Sequence, residues 1–133
     1  RKALTLGALA ARQDDKRTAS CAADMHYSAG WATRLPADLP LIPDARVSEA
    51  AGVQTPACSV RAVTFATAAP LQRVLDYYYT HAIGAGYAAG HQANGAEHIL
   101  GGTRQRDGAA FTLFVKARAD GGTDVDLLAN NGR

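Results

Sequence analysis

Between Leu71 and Ala82 the apolar residues Leu71, Val74, Leu75, Tyr78 and Ala82 recur at helical spacing, so they share one face of a helix. The pattern predicts a single clear helix within Thr67–Gly86. Thr67 can cap its start, Pro70 is tolerated in the first turn, and Gly84 or Gly86 can take the left-handed conformation that ends it. On either side the period changes to alternation. Upstream, Cys58–Thr67 is rich in β-branched residues and reads as a strand with Val63 and Phe65 directed inward. Downstream, the runs Tyr87–Ala93, Ala96–Arg104, Ala110–Arg118 and Thr123–Ala129 are divided by Asn94-Gly95, Asp107-Gly108 and Asp120-Gly121-Gly122. Dipeptides such as Asn-Gly and Asp-Gly favour tight hairpins because the turn needs positive φ.

Two hairpins give registers that can be checked. A two-residue Asn94-Gly95 turn would set Ala93 against Ala96, Gln92 against Glu97 and His91 against His98. A three-residue Asp120–Gly122 loop would set Lys116 against Asp126 and Arg118 against Asp124. Phe111, Leu113, Val115, Ala117, Val125 and Leu127 would then share the opposite, buried face. The Asp107-Gly108 turn fits two or three residues, and each choice buries a different side of the 87–104 hairpin. The expected fold is α+β: one helix on an antiparallel sheet of about five strands, ordered strand, helix, four-strand meander.

Ahead of this unit, Leu35–Pro43 holds three prolines and should run extended, and Ala45–Val47 could add an edge strand. Arg12–Trp31 is polar and alanine-rich, with Tyr27 and Trp31 as its large anchors. Arg1–Ala11 has the basic start, short apolar run and small-x-small ending of a secretory leader's tail. The chain is thus expected to divide into an N-terminal arm, residues 1–34, and a single domain, residues 35–133. The succession Leu35-Pro36, Leu39-Pro40-Leu41-Ile42-Pro43-Asp44-Ala45, Phe65-Ala66-Thr67, Val74, Tyr77-Tyr78 and Gly121-Gly122-Thr123-Asp124-Val125 resembles small exported bacterial α+β domains of uncharacterised function. The resemblance covers roughly residues 35–129, implies the fold and export, and carries no active site across.

Composition narrows the function. A net charge of +2 over 133 residues, with scattered arginines and no basic stripe, argues against nucleic acid. No apolar run approaches the ~18–20 residues of a membrane span. Two cysteines, Cys21 and Cys58, suit one disulfide tying the N-terminal segment to the first strand, in keeping with a periplasmic or secreted protein. A thiol titration before and after reduction decides that pairing.

The candidate chemistry is sparse. His91 and His98, opposite one another, could share a metal ion, with a third ligand to come from His81, His26 or a carboxylate. Tyr77 and Tyr79 flank the core stripe and could form an aromatic contact surface with Tyr87, while Tyr27 and Trp31 would anchor the arm on a partner. Gly84-Ala85-Gly86 lies after a helix and before a strand, the reverse of a dinucleotide-binding loop. No G-x-S-x-G, H-E-x-x-H or P-loop occurs, so neither catalysis nor a cofactor is expected. The reading is a non-catalytic exported accessory module whose arm contacts another protein. The alternatives are a small molecule or lipid held between helix and sheet, in a hollow left by Ala88, Ala89, Gly90, Gly101 and Gly102, and metal binding by the histidine pair.

Overall fold

The computed structural model describes residues 25–55 and 58–130. The leader-like Arg1–Ala11 and Cys21 lie outside them. The described chain runs β1 (His26–Tyr27), a 3₁₀ helix (Ala29–Arg34), β2 (Arg46–Gln54), β3 (Ser59–Thr67), α1 (Leu71–Gly84), β4 (Ala88–Asn94), β5 (Glu97–Arg104), β6 (Ala109–Ala117) and β7 (Thr123–Asn130). All strands form one antiparallel sheet in the order β1-β2-β3-β7-β6-β5-β4. The α+β class holds, and β4 to β7 form the meander. The sheet has seven strands, two more than the pattern suggested. The edge strand expected at Ala45–Val47 is the start of β2, which continues to Gln54 past a bulge between Val47 and Glu49 that breaks its alternation. The sheet also takes in His26–Tyr27, inside the segment read as an arm.

One face of the sheet carries α1, the 3₁₀ helix and the proline-rich 35–45 segment. Val63, Phe65, Phe111, Leu113, Val115, Val125 and Leu127 rise from the strands to meet Val74, Leu75, Tyr78 and Ala82 of the helix. Leu39 and Ile42 close the core from the side, and the Ile42 amide donates to Tyr78 Oη at 3.1 Å. The opposite face holds a smaller cluster of Ala51, Val53, Val60, Ala62, Phe114 and Leu128, against which Met25, Cys58 and Ile99 pack.

The helix begins later than its sequence suggested. Pro70 is the N-cap, with no side-chain cap bond. Thr67 instead ends β3: its hydroxyl bonds the Asp44 carboxylate and accepts from the Ala69 amide at 3.1 Å. The same carboxylate accepts the Ala68 amide at 3.0 Å, so Asp44 is held below the usual carboxylate range, first by the hydroxyl and then by this amide. Gly86, at φ 94°, makes the left-handed turn out of α1.

Both predicted hairpin registers are displaced by two positions. Asn94 pairs with Glu97 and Ala93 with His98, so the turn residues are Gly95 and Ala96, with Gly95 at φ 65°. At the last hairpin Lys116 pairs with Asp124 and Ala117 with Thr123. The Arg118 amide meets the Gly122 carbonyl at 2.9 Å, which makes the loop Ala119–Gly121. Gly121 supplies the positive φ there. Gly122 lies too close to the Thr67 carbonyl for any Cβ, and its amide is held by Asp120 at 2.9 Å. The β5–β6 loop takes four residues, because Arg104 pairs with Ala109. A slip of two leaves every side chain on its predicted face and changes only its opposite neighbour.

The 3₁₀ helix is latched to the sheet by Trp31, whose ring lies over Gly52, where a Cβ would come within 2.6 Å of Cδ2. The guanidinium carbons of Arg34 and Arg61 sit 4.2 and 4.8 Å from the ring centroid. Arg61 also donates to the Arg34 carbonyl at 3.0 Å, so one side chain both covers the ring and holds the helix end.

Candidate functional site: an open edge and its histidine pair

The two ends of the sheet differ. At one end, β1 has two residues and pairs with β2 at Gly52 and Ala51, and the uncovered start of β2 carries Arg46, Glu49 and a bulge between Val47 and Glu49. At the other, β4 runs for seven residues, Ala-Ala-Gly-His-Gln-Ala-Asn, and all but Ala89 are exposed. It contains no proline and no lysine, arginine, aspartate or glutamate. Those are the residues, together with shortness, that normally keep an edge strand from pairing with another chain. The short β1 has such protection and β4 does not.

The hairpin fixes which backbone groups are on offer. A two-residue loop closes on a hydrogen-bonded pair, here Asn94 with Glu97, and bonded and non-bonded pairs then alternate. Gly90 and Gln92 therefore bond inward to Gly101 and Ile99. Ala89, His91 and Ala93 direct their N–H and C=O groups away from β5. The same three residues carry their side chains on the helix-covered side of the sheet, in line with Leu100 and Leu113.

His91 opposes Leu100, not His98, yet the imidazoles still meet as diagonal neighbours. Their rings stack at 5.1 Å between centroids and 21° between planes, and His91 Nε2 lies 2.9 Å from His98 Nδ1. One ring donates and the other accepts. The further ligands considered from sequence are elsewhere. His26 is in β1 at the far end of the sheet, and His81 lies on α1 against Tyr77, ring centroids 4.5 Å apart. No group of three metal-ligating side chains occurs among the described residues.

The aromatic candidates fall in separate places. Trp31 packs on its own sheet, as above. Tyr27 is half exposed in β1. Tyr77 is partly buried, donating to the Leu41 carbonyl at 3.4 Å and packing edge-on against Tyr78. Tyr79 is exposed on α1, one turn before the equally exposed Ile83. Cys58 is not a free thiol, and the partner expected for it, Cys21, lies outside the described residues.

The space expected at Gly102 is taken by the Phe111 ring of the next strand, to which a Cβ there would come within 2.8 Å. Open space lies instead beside the 37–44 segment. A cleft of about 460 Å³ at the start of α1 is bordered by Ile42, Asp44, Pro70, Arg73 and Tyr77. A second, of about 300 Å³, is bordered by Asp38, Thr80 and His81 near the helix end.

Sequence reasoning missed the Arg104 cluster next to that second cleft. Arg104 is 3% exposed, and its Nη1 donates to Asp38 at 2.7 Å and to the Ala85 carbonyl at 2.9 Å. Nε and Nη2 clasp both oxygens of Asp107, and the guanidinium carbon lies 4.6 Å above the Tyr87 ring. The Tyr87 hydroxyl is buried with no hydrogen-bond partner among the described residues. Arg104 therefore joins the 35–45 segment, the helix end and the β5–β6 loop in one place. The chain matches no protein-family model, no curated protein and no solved structure.

Proposed function

We propose that this chain is a non-catalytic, exported binding module that takes up an extended segment of a partner protein as a further strand on β4. The observation that carries the reading is the contrast between the sheet's ends: a seven-residue uncharged edge faces solvent, whereas the other edge strand has two residues. Strand addition of this kind draws its affinity from main-chain hydrogen bonds and its selectivity from pockets for alternate side chains. The partner contact thereby lies on β4 and not on the segment around Trp31, whose ring is engaged by Gly52, Arg34 and Arg61. Tyr79 and Ile83 add exposed apolar surface on the helix that packs against this part of the sheet. Export would accord with the leader-like Arg1–Ala11 and with the single disulfide expected from the sequence's two cysteines.

In-cell photocrosslinking tests the edge. A crosslinking residue at Gln92 should yield a discrete protein adduct, and one at Tyr27, on the other edge, should yield none. No adduct from Gln92, or the same adduct from both positions, would remove the reading.

A further inference from the structure

The wider of the two clefts beside the 37–44 segment holds one unpaired charge of each sign. Most of its border is apolar: Ile42 and Ala69 are buried there, and Pro70 and the partly buried Tyr77 contribute rings. The Tyr77 hydroxyl is already spent on the Leu41 carbonyl. The ionic groups on the border are Asp44, from the 35–45 segment, and Arg73, from the first turn of α1. Both are exposed, and neither belongs to an ion pair among the described residues, so they share the cleft without neutralising each other. The Arg73 side chain makes no hydrogen bond among the described residues, which leaves all its N–H donors open. Asp44 is only half engaged: one oxygen takes the Thr67 hydroxyl and the other the Ala68 amide. A carboxylate has lone pairs for about two more donors, and the two bonds it makes fix its position and keep it ionised.

Those features limit what the cleft can take. A simple anion would meet Asp44, a simple cation would meet Arg73, and a neutral apolar molecule would leave both charges as they are. A zwitterion with an apolar body satisfies all three parts of the border. The planar guanidinium fork of Arg73 matches a carboxylate through two parallel bonds. The open lone pairs of Asp44 accept from an ammonium. An α-amino acid carries both groups at one end, and its side chain is then left for the apolar walls. A volume of about 460 Å³ lies within the range of small-molecule sites and admits a side chain as large as that of leucine or phenylalanine.

We propose that this cleft binds a free apolar α-amino acid, with its carboxylate on Arg73, its ammonium on Asp44 and its side chain against Ile42, Ala69 and Tyr77. The site is separate from the β4 edge and does not depend on that reading. The test is titration of the full chain with L-leucine and with L-phenylalanine, followed by amide NMR. At least one of them should give saturable shifts at Ala69, Arg73 and Tyr77, with a dissociation constant on the order of 1 mM, and none at Gln92. The amide of that amino acid lacks the carboxylate charge and its N-acetyl derivative lacks the ammonium charge. Each should bind at least about fivefold more weakly. Arg73→Gln, at an exposed position, should remove the preference for the free acid over the amide. Asp44→Asn would also disturb the Thr67 and Ala68 bonds, so the N-acetyl derivative reads that contact without altering the chain. No saturable shift from either amino acid at tens of millimolar would overturn the proposal. Equal binding of the free acid, the amide and the N-acetyl form would overturn it too, since the cleft would then select only for apolar character. So would an Arg73→Gln protein that keeps the full preference for the free acid.

Discussion

Replacing Arg104 with methionine is expected to destabilise the fold by about 3 kcal/mol, because breaking a buried ion pair leaves its remaining members without compensation. The guanidinium is almost wholly buried, and its two carboxylate partners, Asp38 and Asp107, are each about one-third exposed. The Ala85 carbonyl would lose its donor as well. Arg104→Met combined with Asp38→Asn and Asp107→Asn should recover part of the loss, since neutral side chains are cheaper to leave poorly paired. Chemical denaturation of the three proteins measures this; an Arg104→Met protein as stable as the parent would show that the cluster contributes nothing.

The same cluster has a pH signature. Arg104, first through its hydrogen bonds and with help from the Ala109 amide, holds Asp107 below its ordinary value of 3.8. The unfolded chain therefore takes up a proton at a higher pH than the folded one. The stabilising contribution is complete above pH 3.8 and is lost as the pH falls through the folded value. Arg104→Met should flatten this acid limb.

The second large effect is expected at Tyr78, which is fully buried on the inner face of α1 against Phe65 and Tyr77. Tyr78→Ala should cost about 4 kcal/mol, the range for emptying an aromatic site in a packed core. Tyr78→Phe keeps the ring and removes the partner of the buried Ile42 amide, for a cost of about 1–2 kcal/mol. Burial pushes the Tyr78 hydroxyl above its ordinary range, so it stays neutral and able to accept that bond. Denaturation midpoints of the two variants separate packing from hydrogen bonding. Equal losses would mean that the hydroxyl, and not the ring, holds the 35–45 segment to the helix.

The sequence made the alternation and the helical stripe visible, and with them the helix, the meander and the buried faces. These come from local periodicity, which a two-residue register slip does not alter. The opposite partners were not legible, because they depend on which glycine of a turn takes positive φ. At Gly121-Gly122 the first takes it, and the second lies against the Thr67 carbonyl, a contact made by a strand far away along the chain. The histidine contact survived its misplaced register because diagonal neighbours on a sheet are still within reach of long rings. Arg104 and the Trp31 latch left little trace. An arginine at a strand end and a glycine in mid-strand are ordinary locally, and their meaning lies in Asp38 and Trp31, far away along the chain. The open edge was half legible: the uncharged run AAGHQAN can be read from the sequence, but not its place at the end of the sheet.

The central claim is that β4 is an uncovered edge with its outward amides unpaired in the isolated chain. Amide hydrogen exchange by NMR on dilute protein in chelator reads this residue by residue. The account predicts alternation along the strand: Gly90 and Gln92 protected, Ala89, His91 and Ala93 exchanging at least tenfold faster. Equal protection of His91 and Ala93 with Gly90 and Gln92 would mean that this edge is already covered, and the functional account would be contradicted.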